Sequence, residues 1–166
     1  YFTPGSRVEA RGGSLSGDGG SIEISGHENL VFGGEVDAGA PAGRLGTVYF
    51  DPPELYVIDD VAGTGEHDGS LPDLTGVPGS NANQVSWGAI DALANNANVI
   101  LEGDTLVQVE NVTGVAGGGI TEDNLVKLDF NSGGSLTLRS PGGEVKFMDQ
   151  ADTIRTEGGQ IIVDAF

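Results

Sequence analysis

Residues 133–165 read GGSLTLRSPGGEVKFMDQADTIRTEGGQIIVDA. Three times in this stretch two glycines and a polar residue lead into an in–out–in run. Leu136 and Leu138 follow Gly133-Gly134, Val145 and Phe147 follow Gly142-Gly143, and Ile161 and Val163 follow Gly158-Gly159. Alternation with period two over a few residues marks a strand with one buried face and one wet face. The glycine pairs supply the φ > 0 turns that end such strands.

The unit recurs upstream. GGSIEI begins at Gly19 with Ile22 and Ile24, and GGEVDAG begins at Gly33 with Val36 and Ala38. Further alternations carry Val48 and Phe50, Leu55 and Val57, and Val107 and Val109. Short strands with frequent turns suit a sandwich, a barrel or a solenoid. The strands are short for a sandwich, Asn-Gly is absent, and Asp-Gly occurs only at Asp18 and Asp68, fewer than hairpins would require. Similar units that recur are what stacked coils need. The expectation is an all-β chain: one right-handed parallel β-helix (β-solenoid) over residues 1–166. At roughly 20–25 residues per coil it would make about six or seven turns.

Two interruptions are expected. Residues 59–83, polar and rich in turn residues, read as a long loop leaving the coil. Residues 86–96, SWGAIDALANN, read as a short helix capped by Ser86, with a stripe of Ile90, Leu93 and Ala94 and a stop at Asn95-Asn96. Such a helix is too short to persist alone and should lie against an end or flank of the coil, with Trp87 anchoring it.

Composition narrows the function. Val, Leu, Ile and Phe make up about a quarter of the 166 residues, enough to build a core despite a net charge of −18. Glycine numbers 29 but has no collagen period. Zero cysteine removes disulfides, cysteine-ligated zinc and thiol catalysis. No apolar run reaches the ~20 residues of a membrane helix. Between Leu45 and Val126 there are 13 carboxylates and no Lys or Arg. That imbalance excludes nucleic acid and anionic membranes as partners. The chain opens at Tyr1 and closes on the apolar QIIVDAF, which reads as an excised piece whose last coil is covered by further coils of the same polypeptide or by another copy in a filament.

An ordered series of elements adds a resemblance. GTVYFDP ends a strand at Asp51-Pro52, and ELYVID carries Ile58. After the polar loop, a helix ending LANN precedes NVILE at Asn98, and Val107 and Val109 follow. ADTIRT separates the last glycine-glycine strands. From about Gly19 onward the chain resembles the filamentous-haemagglutinin-like exoproteins exported by two-partner secretion in Gram-negative bacteria. The resemblance implies a right-handed parallel β-helix, a rod at the cell surface or secreted, and an adhesive role toward host or matrix carbohydrate or protein. The Asn-Pro-Asn motifs of that family's export module are missing here. The resemblance therefore implies a shaft segment, and it carries over no binding residue.

Chemistry is sparse. His27 and His67 sit in polar stretches, and neither H-E-x-x-H nor G-x-S-x-G occurs. The expectation is a structural protein, not an enzyme, with no catalytic residue and no bound cofactor. Two alternatives stay open. A carbohydrate-active β-helix enzyme would use a carboxylate pair drawn from Asp51, Glu54, Asp59 and Asp60, although a lyase would also want a nearby base. A calcium-dependent binding module would use Asp59, Asp60, Glu66, Asp68 and Asp73, five carboxylates in one loop without a competing cation. A solvated acidic loop explains the same residues. Tyr49 and Tyr56 alternate outward and form the candidate aromatic patch.

Overall fold

The computed structural model describes residues 2, 5–27, 30, 32, 34–59, 83–114, 121–130 and 133–165. The elements in chain order are β1 (Arg7–Glu9), β2 (Ser21–Ser25), β3 (Glu35–Asp37), β4 (Thr47–Asp51), β5 (Glu54–Ile58), β6 (Gln84–Ser86), α1 (Trp87–Ala94), β7 (Asn98–Glu102), β8 (Leu106–Val109), β9 (Thr121–Glu122), β10 (Leu125–Asp129), β11 (Ser135–Ser140), β12 (Glu144–Phe147), β13 (Thr153–Glu157) and β14 (Gln160–Ala165). The fold class is all-β, with one helix among the described residues. Every alternating stretch named above is a strand. In β4, β7, β8 and β11 the apolar alternate positions are buried while their neighbours are half-buried, except Glu102 at the end of β7, which is buried.

Strands close in sequence pair with strands far away. One sheet has the order β14-β11-β7-β4-β2, a second β12-β8-β5-β6, a third β13-β10-β9, and β1 pairs with β3. Every pairing is parallel except the short turn between β9 and β10. Parallel neighbours need a long connection, and here the connection runs through the other sheets: β7, β8 and β10 belong to three different sheets, and β11, β12 and β13 visit them in the same order.

The register is regular on the inside. Ile22, Val48, Val99, Leu136 and Ile161 lie opposite one another in a row across five strands, and Ile24, Phe50, Leu101, Leu138 and Val163 form the next row. Val48, Phe50, Val99, Leu101, Leu136 and Leu138 are fully buried. Phe32 meets Phe50 edge to face at 4.9 Å and stacks on Phe2 at 5.7 Å. The steps along the first row are 26, 51, 37 and 25 residues. The long steps of 51 and 37 span residues 60–82 and 115–120, and so the longest sheet has five strands where even spacing predicts six or seven coils. Apart from its ends, the loop expected over 59–83 lies outside the described residues.

The glycine pairs have two separate jobs. Gly133 and Gly158 adopt φ of +78° and +80°, the left-handed turn that non-glycine residues resist. Gly143 has no room for a side chain, because a Cβ there would overlap the Thr105 carbonyl of the adjacent strand connection.

The helix is capped as expected, with the Ser86 hydroxyl accepting from the Ala89 N–H at 3.0 Å and Asn95 closing the C-terminus. Trp87, Ala89, Ile90, Leu93 and Ala94 are all buried in the main core. The Asp91 carboxylate accepts the Asp129 N–H at 3.0 Å, and so α1 stands beside β10 and satisfies part of its backbone as a strand would.

Candidate functional site

Outward-facing side chains at the ends of β4, β7 and β11 converge because the parallel register brings distant residues level. Oxygens of Asp51, Glu102 and Asp104 all lie within 4.8 Å of one another. Arg139 on β11, opposite Glu102 in register, donates through Nε to Glu102 Oε2. Its guanidinium carbon lies 5.9 Å from the centroid of the Tyr49 ring. Glu102 is buried and Asp104 exposed.

The electrostatics follow from this crowding. Burial, then the charges of Glu102, Asp104 and Glu23, push the Asp51 carboxyl above its ordinary value, while Arg139 opposes them. Burial and a hydrogen bond to Glu102 push the Tyr49 hydroxyl up to about 12. A tyrosine held that high keeps its proton at neutral pH and makes a poor general base. Glu102 is already engaged by Arg139. The donor set suits a hard cation in kind, and one oxygen of Glu102 is already engaged by the Arg139 guanidinium.

The sequence-derived candidates are dispersed. Asp51 joins this cluster, but Glu54 is exposed and accepts a 2.9 Å hydrogen bond from the Tyr56 hydroxyl. Asp59 Oδ2 accepts from the Thr113 N–H at 2.7 Å and the Gly114 N–H at 2.8 Å, which fixes the strand connection after β8. Asp60, Glu66, His67, Asp68 and Asp73 lie outside the described residues, and His27 is exposed. Tyr49 and Tyr56 are half-buried and sit on two different sheets, β4 and β5, each bound to a carboxylate of its own. Glu102, Asp104 and Arg139 escape sequence reading because the steps of 51 and 37 residues that align them with Asp51 are irregular. The missing base of the 45–126 segment is supplied by Arg139 from the next strand of the same sheet.

Two other surfaces stand out. A groove of about 730 Å³ runs along the strand starts, bordered by Gly19, Gly46, Asn98 and the Asp18–Arg44 pair, whose bond is 3.0 Å. The edge formed by β12, β13 and β14 is uncovered: Ile161 and Val163, which continue the buried rows, are 37% and 54% exposed, and Phe147 is 37% exposed. Comparison with protein-family models, curated protein sequences and solved structures finds no match to this chain. No described helix is long and apolar enough to cross a membrane.

Proposed function

We infer that the parallel sheets are faces of one right-handed stacked coil, and that the chain is a structural segment of a rod displayed outside a Gram-negative cell. The observation that carries this reading is the pair of in-register apolar rows running through five parallel strands and ending on an uncovered edge. Such rows hold adjacent coils together without metal or cross-link. The edge exposes apolar side chains and a line of unpaired backbone groups, an arrangement that favours another parallel strand on top. That strand belongs to a further coil or to another copy.

The chemistry of the outward cluster supports a structural role over a catalytic one: its tyrosine is held protonated and its buried glutamate is neutralised by Arg139. The resemblance to filamentous-haemagglutinin-like exoproteins supplies the setting, a secreted or surface-borne shaft that presents adhesive determinants. Immunogold labelling of intact source cells with antibodies to the chain tests the role. Gold along projecting fibres is expected, and label confined to the cell interior would overturn it. In parallel, acidic polysaccharides incubated with the protein should release neither unsaturated sugars nor reducing ends. Turnover abolished by Asp51→Asn would replace the structural reading with an enzymatic one.

A further inference from the structure

We propose that Asp18-Gly19 is a modification site, the place where this backbone converts to isoaspartate, and that Arg44 holds it closed in the folded chain. The inference does not depend on the stacked coil. The hydrogen bonds that Arg44 makes to both reacting residues carry it.

The reaction is intramolecular. The Gly19 nitrogen attacks Asp18 Cγ, an N–Cγ bond forms, the nitrogen's proton passes to solvent and a carboxyl oxygen departs as water. The five-membered succinimide then takes up one water. Opening at the side-chain carbonyl restores aspartate; opening at the main-chain carbonyl leaves isoaspartate, with one extra methylene in the backbone. Glycine in the second position favours the attack because no Cβ crowds the nitrogen. The protonated carboxyl is the reactive form, since an ionised carboxylate is a poor electrophile. The fold requires glycine here: a Cβ on Gly19 would lie 1.9 Å from the Ala38 carbonyl oxygen and 2.5 Å from the Gly46 nitrogen. Close packing therefore fixes the vulnerable half of the dipeptide.

Arg44 restrains both partners. Its N–H donates to Asp18 Oδ1 at 2.9 Å, and its Nε and Nη2 donate to Oδ2 at 3.2 and 3.0 Å. Its carbonyl accepts the Gly19 N–H at 2.9 Å. The attacking nitrogen and the target carboxylate are thus bound to one residue, and the nitrogen must leave Arg44 before it can react. The Arg44 N–H, then the guanidinium hydrogen bonds, also hold the Asp18 carboxyl below its ordinary value, with desolvation opposing them. Among the described residues Arg44 is the charged group that bears on Asp18; Gly17, Gly19 and Gly43 beside it carry none. The pair is too exposed to contribute much stability, the Arg44 and Asp18 side chains being 90% and 51% accessible. Its consequence is chemical. An added methylene here would lengthen the chain just ahead of Ser21, where β2 enters its register with β4.

Prolonged incubation of the folded chain, and of the chain unfolded in guanidinium chloride, tests this from pH 7 to 4. Isoaspartate is read by enzymatic methyl transfer and located by tandem mass spectrometry, which separates Asp18-Gly19 from Asp68-Gly69, the other Asp-Gly of the chain. Asp18 is expected to convert at least tenfold more slowly in the folded chain than in the unfolded one, because reaction waits on local opening. Arg44→Gln, which keeps the backbone bonds and removes the cation, should speed folded-state conversion at least threefold. As acid is added, its rate should also begin to rise at a higher pH than that of wild type, and Arg44→Lys should fall between the two. Folding of each variant is checked by circular dichroism. Asp18→Glu should lose the signal, since a glutamyl side chain closes only a six-membered ring. Equal rates in folded and unfolded wild type would overturn the proposal whatever the variants do. So would a folded Arg44→Gln variant whose rate and pH profile match wild type, or a signal at residue 18 that survives Asp18→Glu.

Discussion

Asp51 shows how the register turns ordinary surface residues into a coupled group. Its carboxyl is raised by burial and by Glu102 and Asp104, so the folded state binds this proton more tightly than the unfolded chain does. Stability contributed by the site therefore rises as pH falls through the raised value toward the usual carboxylate value of about 4. Asp51→Asn should raise Tm at pH 7 by about one or two degrees, and that advantage should shrink as the pH falls through the same window; thermal melts of both proteins from pH 7 to 4 measure the gap. Removing Arg139 acts the other way. Arg139→Gln leaves buried Glu102 without its cation at a cost of about 1–3 kcal/mol, and millimolar calcium should restore more stability to this variant than to wild type in the same assay. Gly143 gives a steric counterpart. Gly143→Ala forces a methyl against a backbone carbonyl that cannot swing away, and urea denaturation should show a loss of about 2 kcal/mol or more.

Elements divide sharply into those legible in the sequence and those hidden. β4, β7 and β11 declare themselves because one face is fully buried and the other wet, so burial and alternation coincide. β10 and β13 are harder to see: LVKLD and TIRTE carry charges on their outer positions and lack the glycine pair that precedes β2, β3, β11, β12 and β14. Ser86, Trp87 and the Ile90–Leu93–Ala94 stripe identify α1, but its place in the core depends on which strand runs beside it. That partner, β10, is fixed by a three-dimensional stack and leaves no local trace. The candidate site is legible only at Asp51 and Tyr49, since the irregular connections hide which residues fall level with them. The contact between α1 and β10 is itself open to test. Asp91→Ala removes the acceptor of the Asp129 N–H and should destabilise by about 1–2 kcal/mol, whereas Asp91→Asn keeps an acceptor oxygen and should lose about half as much or less; chemical denaturation of the two variants separates hydrogen bonding from packing.

At the scale of the whole molecule, apolar rows in register through five strands hold distant segments together in a chain that has no cysteine to cross-link them. Apart from buried Glu102, the described acidic side chains are half-buried or exposed, and the net charge of −18 favours solubility. The stacked coil requires strands far apart in sequence to lie side by side in parallel. Glu23 on β2 and Ile162 on β14 stand at the two ends of the five-stranded sheet, on outward positions of the same row as Tyr49, Ile100 and Thr137. Four strand spacings of ~4.8 Å put their backbones about 19 Å apart. Pulsed dipolar spectroscopy on nitroxides at Glu23→Cys and Ile162→Cys, diluted in an excess of unlabelled chain, measures that distance within single molecules. A narrow distribution near 20–25 Å, label arms included, is the expected result; a broad distribution or one centred beyond ~35 Å would contradict the stacked parallel arrangement and every inference built on it.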